Sequence, residues 1–121
     1  MKHRVTGRKF SRKKGPREAM IKTLLGSIIV RERVTTTEAK AKEAKPKIDR
    51  LITKAKKMKA DPAKSTAVIR DLRKHLPLPA VKKLSGEFLD RFRARQSGYT
   101  RITKLEQRKS DGARMAVIEF V

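Results

Sequence analysis

Cysteine and tryptophan are missing from this 121-residue chain, and its aromatics are four Phe and one Tyr. Without Cys there is no disulfide, no thiolate zinc site and no cysteine nucleophile, a usage that fits a reducing, cytoplasmic setting. The two His, His3 and His75, stand in no metal-ligand spacing, so neither a metal nor any other cofactor is expected. Acids are scarce, twelve Asp and Glu against thirty-four Lys and Arg. They are scattered, most with a Lys or Arg nearby, and form no carboxylate pair for acid–base chemistry. The glycines match neither a P-loop nor a dinucleotide fingerprint. No apolar run approaches the ~18 residues of a membrane span, and no apolar segment follows the early charges as in a secretory signal. Gly7, Gly15 and Pro16 interrupt any amphipathic helix of the transit-peptide kind. These absences speak against an enzyme, a small-molecule substrate and a membrane partner.

What is there is positive charge, a formal +22. It is densest at the start: Met1 to Arg17 holds eight Lys or Arg, no acid, and only Val5 and Phe10 as sizeable apolar groups after Met1. Fixing a backbone residue costs roughly 1–2 kcal/mol, on the order of 17–34 kcal/mol for this stretch, with almost no hydrophobic return. Residues 1–15 therefore read as a basic arm, disordered alone in water. A polyanion would order it, and duplex nucleic acid offers one phosphate per ~1.7 Å. A solubilising tail or a nuclear-localisation-like run is the plainer alternative. The remainder, 16–121, reads as a single domain and is basic as well, so an anionic partner is expected for the whole chain.

Pro16 suits the first turn of a helix. Ala19, Met20, Leu24, Ile28 and Val30 then recur at helical spacing, which predicts a central core helix over 16–31, with Gly26 packed closely against a neighbour. Arg33-Val34-Thr35-Thr36 reads as a short strand. Thr37 is a helix N-cap, and a helix over 38–60 carries Ala41, Ala44, Ile48, Leu51, Ile52, Ala55 and Met58 on one face. Glu38–Lys42 and Glu43–Lys47 are expected as ion pairs one turn apart, and Pro46 is expected to bend or split the helix. Asp61-Pro62 opens a helix to about Lys74, with Val68, Ile69, Leu72 and Leu76 inward. After Leu76-Pro77-Leu78-Pro79 another helix uses Val81, Leu84 and Phe88, with Gly86 arguing for an early end and Leu89 and Phe92 for continuation. The period then changes to alternation over Tyr99–Leu105 and 115–121, and Asp111-Gly112 between them is a hairpin signal. The fold class is α+β: a two-layer domain of about four helices against a small three-stranded sheet.

Two basic clusters are the candidate binding elements. One is the arm, through Lys2, His3, Arg4, Arg8, Lys9, Arg12, Lys13, Lys14 and Arg17. The other includes Arg95, Tyr99 and Arg101. Arginine suits phosphate and can stack on bases. Tyr99 is either a base-stacking residue or a buried residue at the start of a strand. With so few aromatics, backbone neutralisation and shape reading must dominate over stacking. An RNA-binding structural protein, an architectural DNA-binding protein of the nucleoid and a basic protein–protein scaffold all fit the charge.

Order and spacing favour the first. Met1-Lys2-His3-Arg4 with Gly7-Arg8-Lys9, Arg17 with Ala19-Met20, Thr35-Thr36 before Lys40-Ala41-Lys42-Glu43, and Leu51-Ile52-Thr53-Lys54-Ala55-Lys56 come in turn. Arg91-Phe92 with Arg95, Gly98-Tyr99-Thr100-Arg101-Ile102 and Met115-Ala116-Val117-Ile118-Glu119 follow. Along nearly its whole length the chain resembles the bacterial large-subunit ribosomal protein L seventeen family. The resemblance implies a helix, a strand, three helices and two strands behind a basic extension. It also implies binding to 23S rRNA, as a monomer within the ribosome beside other large-subunit proteins such as L thirty-two and L twenty-two. The chain departs from the family pattern at Pro16-Arg17, at Leu89-Asp90, where the family has Gly-Pro, and at Ser97-Gly98, where it has Gly-Gly.

Overall fold

A computed structural model of the chain describes residues 7–121. Four α-helices, α1 (Lys14–Arg31), α2 (Glu38–Ala60), α3 (Ser65–His75) and α4 (Leu78–Leu84), pack with three strands, β1 (Arg33–Thr37), β2 (Thr100–Lys104) and β3 (Met115–Phe120). Short 3₁₀ helices at Pro62–Lys64 and Glu87–Phe92 complete the order. The sheet is antiparallel in the order β1-β3-β2, with Val34 opposite Ile118 and Ile102 opposite the same residue from the other side. This is the expected α+β architecture, in the expected element order.

The helix at the centre is α2, not α1. Its seven inward residues, Ala41, Ala44, Ile48, Leu51, Ile52, Ala55 and Met58, are all buried, and it packs against α1, α3 and the sheet. Thr37 caps it, its Oγ1 accepting from the Lys40 N–H at 3.4 Å. The helix runs unbroken through Pro46. An interior Pro costs about 3 kcal/mol. Burying four large side chains on the same helix returns roughly 1.5–3 kcal/mol each, so packing holds the helix together across the missing hydrogen bond. By contrast α1 buries only Leu25, Gly26, Ile28 and Ile29. Gly26 meets the close neighbour expected of it: a Cβ there would lie 2.3 Å from Pro77 Cγ, so glycine lets α1 and the start of α4 touch.

Helix α1 ends on Glu32, which takes the left-handed conformation (φ 64°) and donates its N–H to the Ile28 carbonyl at 2.8 Å. Its carboxylate receives Lys83 at 2.9 Å and also Arg91. The hydrogen bond from Lys83, with Arg91 adding its charge, holds the Glu32 carboxyl below its ordinary range. The helix expected over 62–74 opens as a 3₁₀ turn and becomes α3; Leu72 and Leu76 are buried, whereas Val68 and Ile69 are half-buried. Helix α4 stops at Leu84, as Gly86 suggested, and Phe88 and Phe92 belong to the following 3₁₀ segment.

The last third of the chain builds an aromatic corner. Phe88 meets Phe120 edge-on at 5.0 Å, and Phe92 meets Tyr99 edge-on at 5.5 Å. Between β2 and β3 the ladder continues past the strands, Leu105 N–H donating to the Met115 carbonyl at 2.9 Å and Arg108 N–H to that of Ala113 at 2.8 Å. Asp111 closes the tip, accepting from Arg108 at 2.7 and 2.9 Å and from the Ala113 N–H at 3.1 Å. Those bonds, Arg108 foremost, lower its carboxyl to about 2.

Candidate nucleic-acid interface

The segment before α1 makes a tight turn. Arg12 N–H donates to the Lys9 carbonyl at 3.1 Å, and Phe10 and Ser11 have φ values of 53° and 52°. That turn carries Arg8 back towards α2, where its guanidinium pairs with Glu43 at 3.0 Å. The partner expected for Glu43 was Lys47, one helical turn on. The carboxylate instead takes an arginine 35 positions away in sequence, because the turn brings a planar donor fork to it.

The consequence is a groove of about 1130 Å³ between residues 7–9, the first half of α1, the middle of α2 and the end of α3. Arg8, Lys9, Arg17, Lys22, Lys47, Arg50, Lys54 and Lys74 line it, against two acids, Glu18 and Glu43. Two of these cations are in ion pairs, Arg8 on Glu43 and Lys54 on Asp71 at 2.7 Å, and Arg17 donates to the Arg12 carbonyl at 3.5 Å. The hydrogen bond from Lys54 holds the Asp71 carboxyl below its ordinary value. Lys22, Lys47, Arg50 and Lys74 form no ion pair among the described residues. Between the cations lie Ile21, Leu25, Pro46 and Leu51.

Of the residues singled out from sequence, Lys2, His3 and Arg4 lie outside the described residues. Arg8, Lys9 and Arg17 come together in the groove. Arg12, Lys13 and Lys14 are exposed at the start of α1, with Arg12 donating to the Phe10 carbonyl at 2.8 Å. The second cluster does not present three free side chains. Arg101 lies on β2 and pairs across the sheet with Glu119 at 2.9 Å. Arg95 is exposed, its guanidinium donating to the Gly98 carbonyl at 3.2 Å. The stacking role for Tyr99 is corrected: the residue is 1% exposed, its ring set against Phe92 and its hydroxyl 3.3 Å from Lys56 Nζ. Burial in the aromatic corner leaves no free face for a base.

Lys22, Lys47, Arg50 and Lys74 escaped sequence reading because they come from three helices. The one local signal was the spacing of Lys47, Arg50 and Lys54, which places three cations on one face of α2. Among the described residues no group of His, Cys, Asp and Glu could hold a metal, and no helix is long and apolar enough to cross a membrane.

A small α+β domain whose open groove is lined by unpaired cations is of the kind that attracts anionic polymers. The chain belongs to the Ribosomal protein L17 family, whose profile matches residues 20–121. It is 42% identical to the large ribosomal subunit protein bL17 of Thermomicrobium roseum, over all of this chain and 99% of that protein. It is 41% identical to the protein of that name from an Anaeromyxobacter species, over all of this chain and 73% of that protein. With the one from Staphylococcus carnosus it shares 42% over 94% of this chain and 98% of that protein.

Proposed function

We propose that the chain is a structural constituent of the large ribosomal subunit that binds 23S rRNA and supports subunit assembly and translation in the cytoplasm. The observation that carries this reading is the likeness to large-subunit proteins over the full length of the chain. The charge supports it: +22 on 121 residues is disfavoured in a free compact protein and stabilised beside phosphate. Of the residues 1–15 read as arm from the sequence, Lys14 and Gly15 are the first residues of α1. The domain docks on RNA backbone, and the arm threads between RNA helices. Lys2, His3, Arg4, Arg8, Lys9, Arg12, Lys13, Lys14 and Arg17 neutralise phosphates there, with Arg95 and Arg101 also contacting backbone. The work is binding, not catalysis, by one copy per subunit, beside other large-subunit proteins such as L thirty-two and L twenty-two.

Gradient sedimentation of a cell lysate tests this, with the chain followed by mass spectrometry. It should travel with the large subunit and stay there through a high-salt wash; release by the wash, or travel with DNA, would overturn the reading. Deleting residues 2–12, which stops short of α1, should leave thermal unfolding nearly unchanged and impair incorporation. Normal incorporation of the truncated chain would remove the role of the arm.

A further inference from the structure

The groove between α1 and α2 has a feature that phosphate binding alone does not use. Its cations flank an apolar strip. Pro46 is exposed and Ile21 half-buried, and Leu25 and Leu51 lie beneath at 3% and 4% exposure. A duplex presents only its charged backbone to such a groove and would leave the strip in contact with water. An unpaired strand presents both phosphates and the faces of its bases, and bases lie well on apolar side chains.

We propose that this groove seats an unpaired RNA strand, with its phosphates on Lys22, Lys47, Arg50 and Lys74 and its bases against Ile21 and Pro46. The inference rests on the reading of the chain as an RNA-binding protein and adds selectivity to it. The four cations have no ion-pair partner to give up among the described residues, so a phosphate reaches them without breaking an ion pair there. Arg8 does have a partner, Glu43, and takes no part until that pair opens. The arm, by contrast, reads as dense positive charge and neutralises paired and unpaired RNA alike.

Fluorescence anisotropy of the full chain tests this, with labelled oligouridine and a labelled RNA duplex of equal length at matched salt. The wild type should bind both. Changing Lys22, Lys47 and Arg50 together to Gln should weaken oligouridine binding on the order of tenfold. The salt dependence should become shallower by roughly 0.7 for each phosphate no longer neutralised. The loss for the duplex should be clearly smaller. Pro46→Ala cannot fail by unfolding α2, because Ala is the better helix former; it should weaken oligouridine more than duplex. Equal losses for the two RNAs would overturn the proposal, as would wild-type affinity in the triple variant. A wild-type chain that bound neither RNA would instead bring down the RNA-binding reading on which this one rests.

Discussion

The aromatic corner and the α1–α2 groove are both rich in Lys and Arg, yet those residues do different things. At the corner nearly every cation is tied to the fold. Lys83 holds Glu32 and the Val30 carbonyl, both at 2.9 Å. Arg91 reaches Glu32 and, at 3.0 Å, the main-chain oxygen of Val121. Lys56 donates to the Arg95 carbonyl and lies over the Tyr99 ring. In the groove, Lys9, Lys22, Lys47, Arg50 and Lys74 have no such partner among the described residues. Net charge thus does not identify a binding surface; what identifies it is cations left over once the carboxylates and carbonyls of the fold have been served.

On that contrast, damage at the corner should lower stability and damage in the groove should change affinity. The largest effect is expected from Phe92→Ala. The ring is 1% exposed and touches Phe88, Tyr99 and Phe120, and emptying such a site costs about 3–5 kcal/mol. Urea unfolding measures it, and a loss below about 1 kcal/mol would mean that the aromatic corner contributes little to stability. Next comes Glu43→Gln, which frees Arg8. A pair this exposed contributes less than about 1 kcal/mol to stability, so the melting temperature should barely move while RNA affinity rises; in an Arg8→Ala background the gain should shrink. An equal gain in both backgrounds would show that Glu43 acts only by its charge on the groove.

The smallest effect is confined to the hairpin tip. Asp111 has its carboxyl lowered from 3.8 to about 2. A carboxyl depressed on folding stabilises the tip fully above its unfolded value. That contribution fades as pH falls from about 4 towards 2. Protection of the Ala113 amide, measured against the free-peptide exchange rate at each pH, should fall across that window while the core amides stay protected, and Asp111→Asn should abolish the change. A response shared with the core amides would place its origin elsewhere.

Local signals were legible in the sequence and assembled ones were not. The bounds of α2 follow from Thr37 and Asp61 at its ends and a seven-residue apolar face between them, all within one stretch of chain. The tight fit at Gly26 was legible as well, because a glycine inside a helix needs a reason. The burial of Tyr99 depends on Phe92 and Lys56, which come from other segments. Glu43 meets Arg8 instead of Lys47 because a turn of unusual backbone intervenes. The centrality of α2 is likewise a matter of what packs around it. The groove was hidden for the same reason: apart from the spacing of Lys47, Arg50 and Lys54 on α2, its phosphate-binding candidates share no periodicity until α1, α2 and α3 are brought side by side.

Helix α1 has a mechanical consequence. Its 18 residues form a rod of about 27 Å. One end adjoins the turn that carries Arg8, and the other is clamped by the Gly26–Pro77 contact and by Glu32 beneath Lys83 and Arg91. A tug on the turn cannot dissipate in a loop, since none intervenes. It travels down the rod as a load on that clamp. A pull on the turn would therefore load an anchored strut, and the domain would follow as a rigid body rather than unravel from that end.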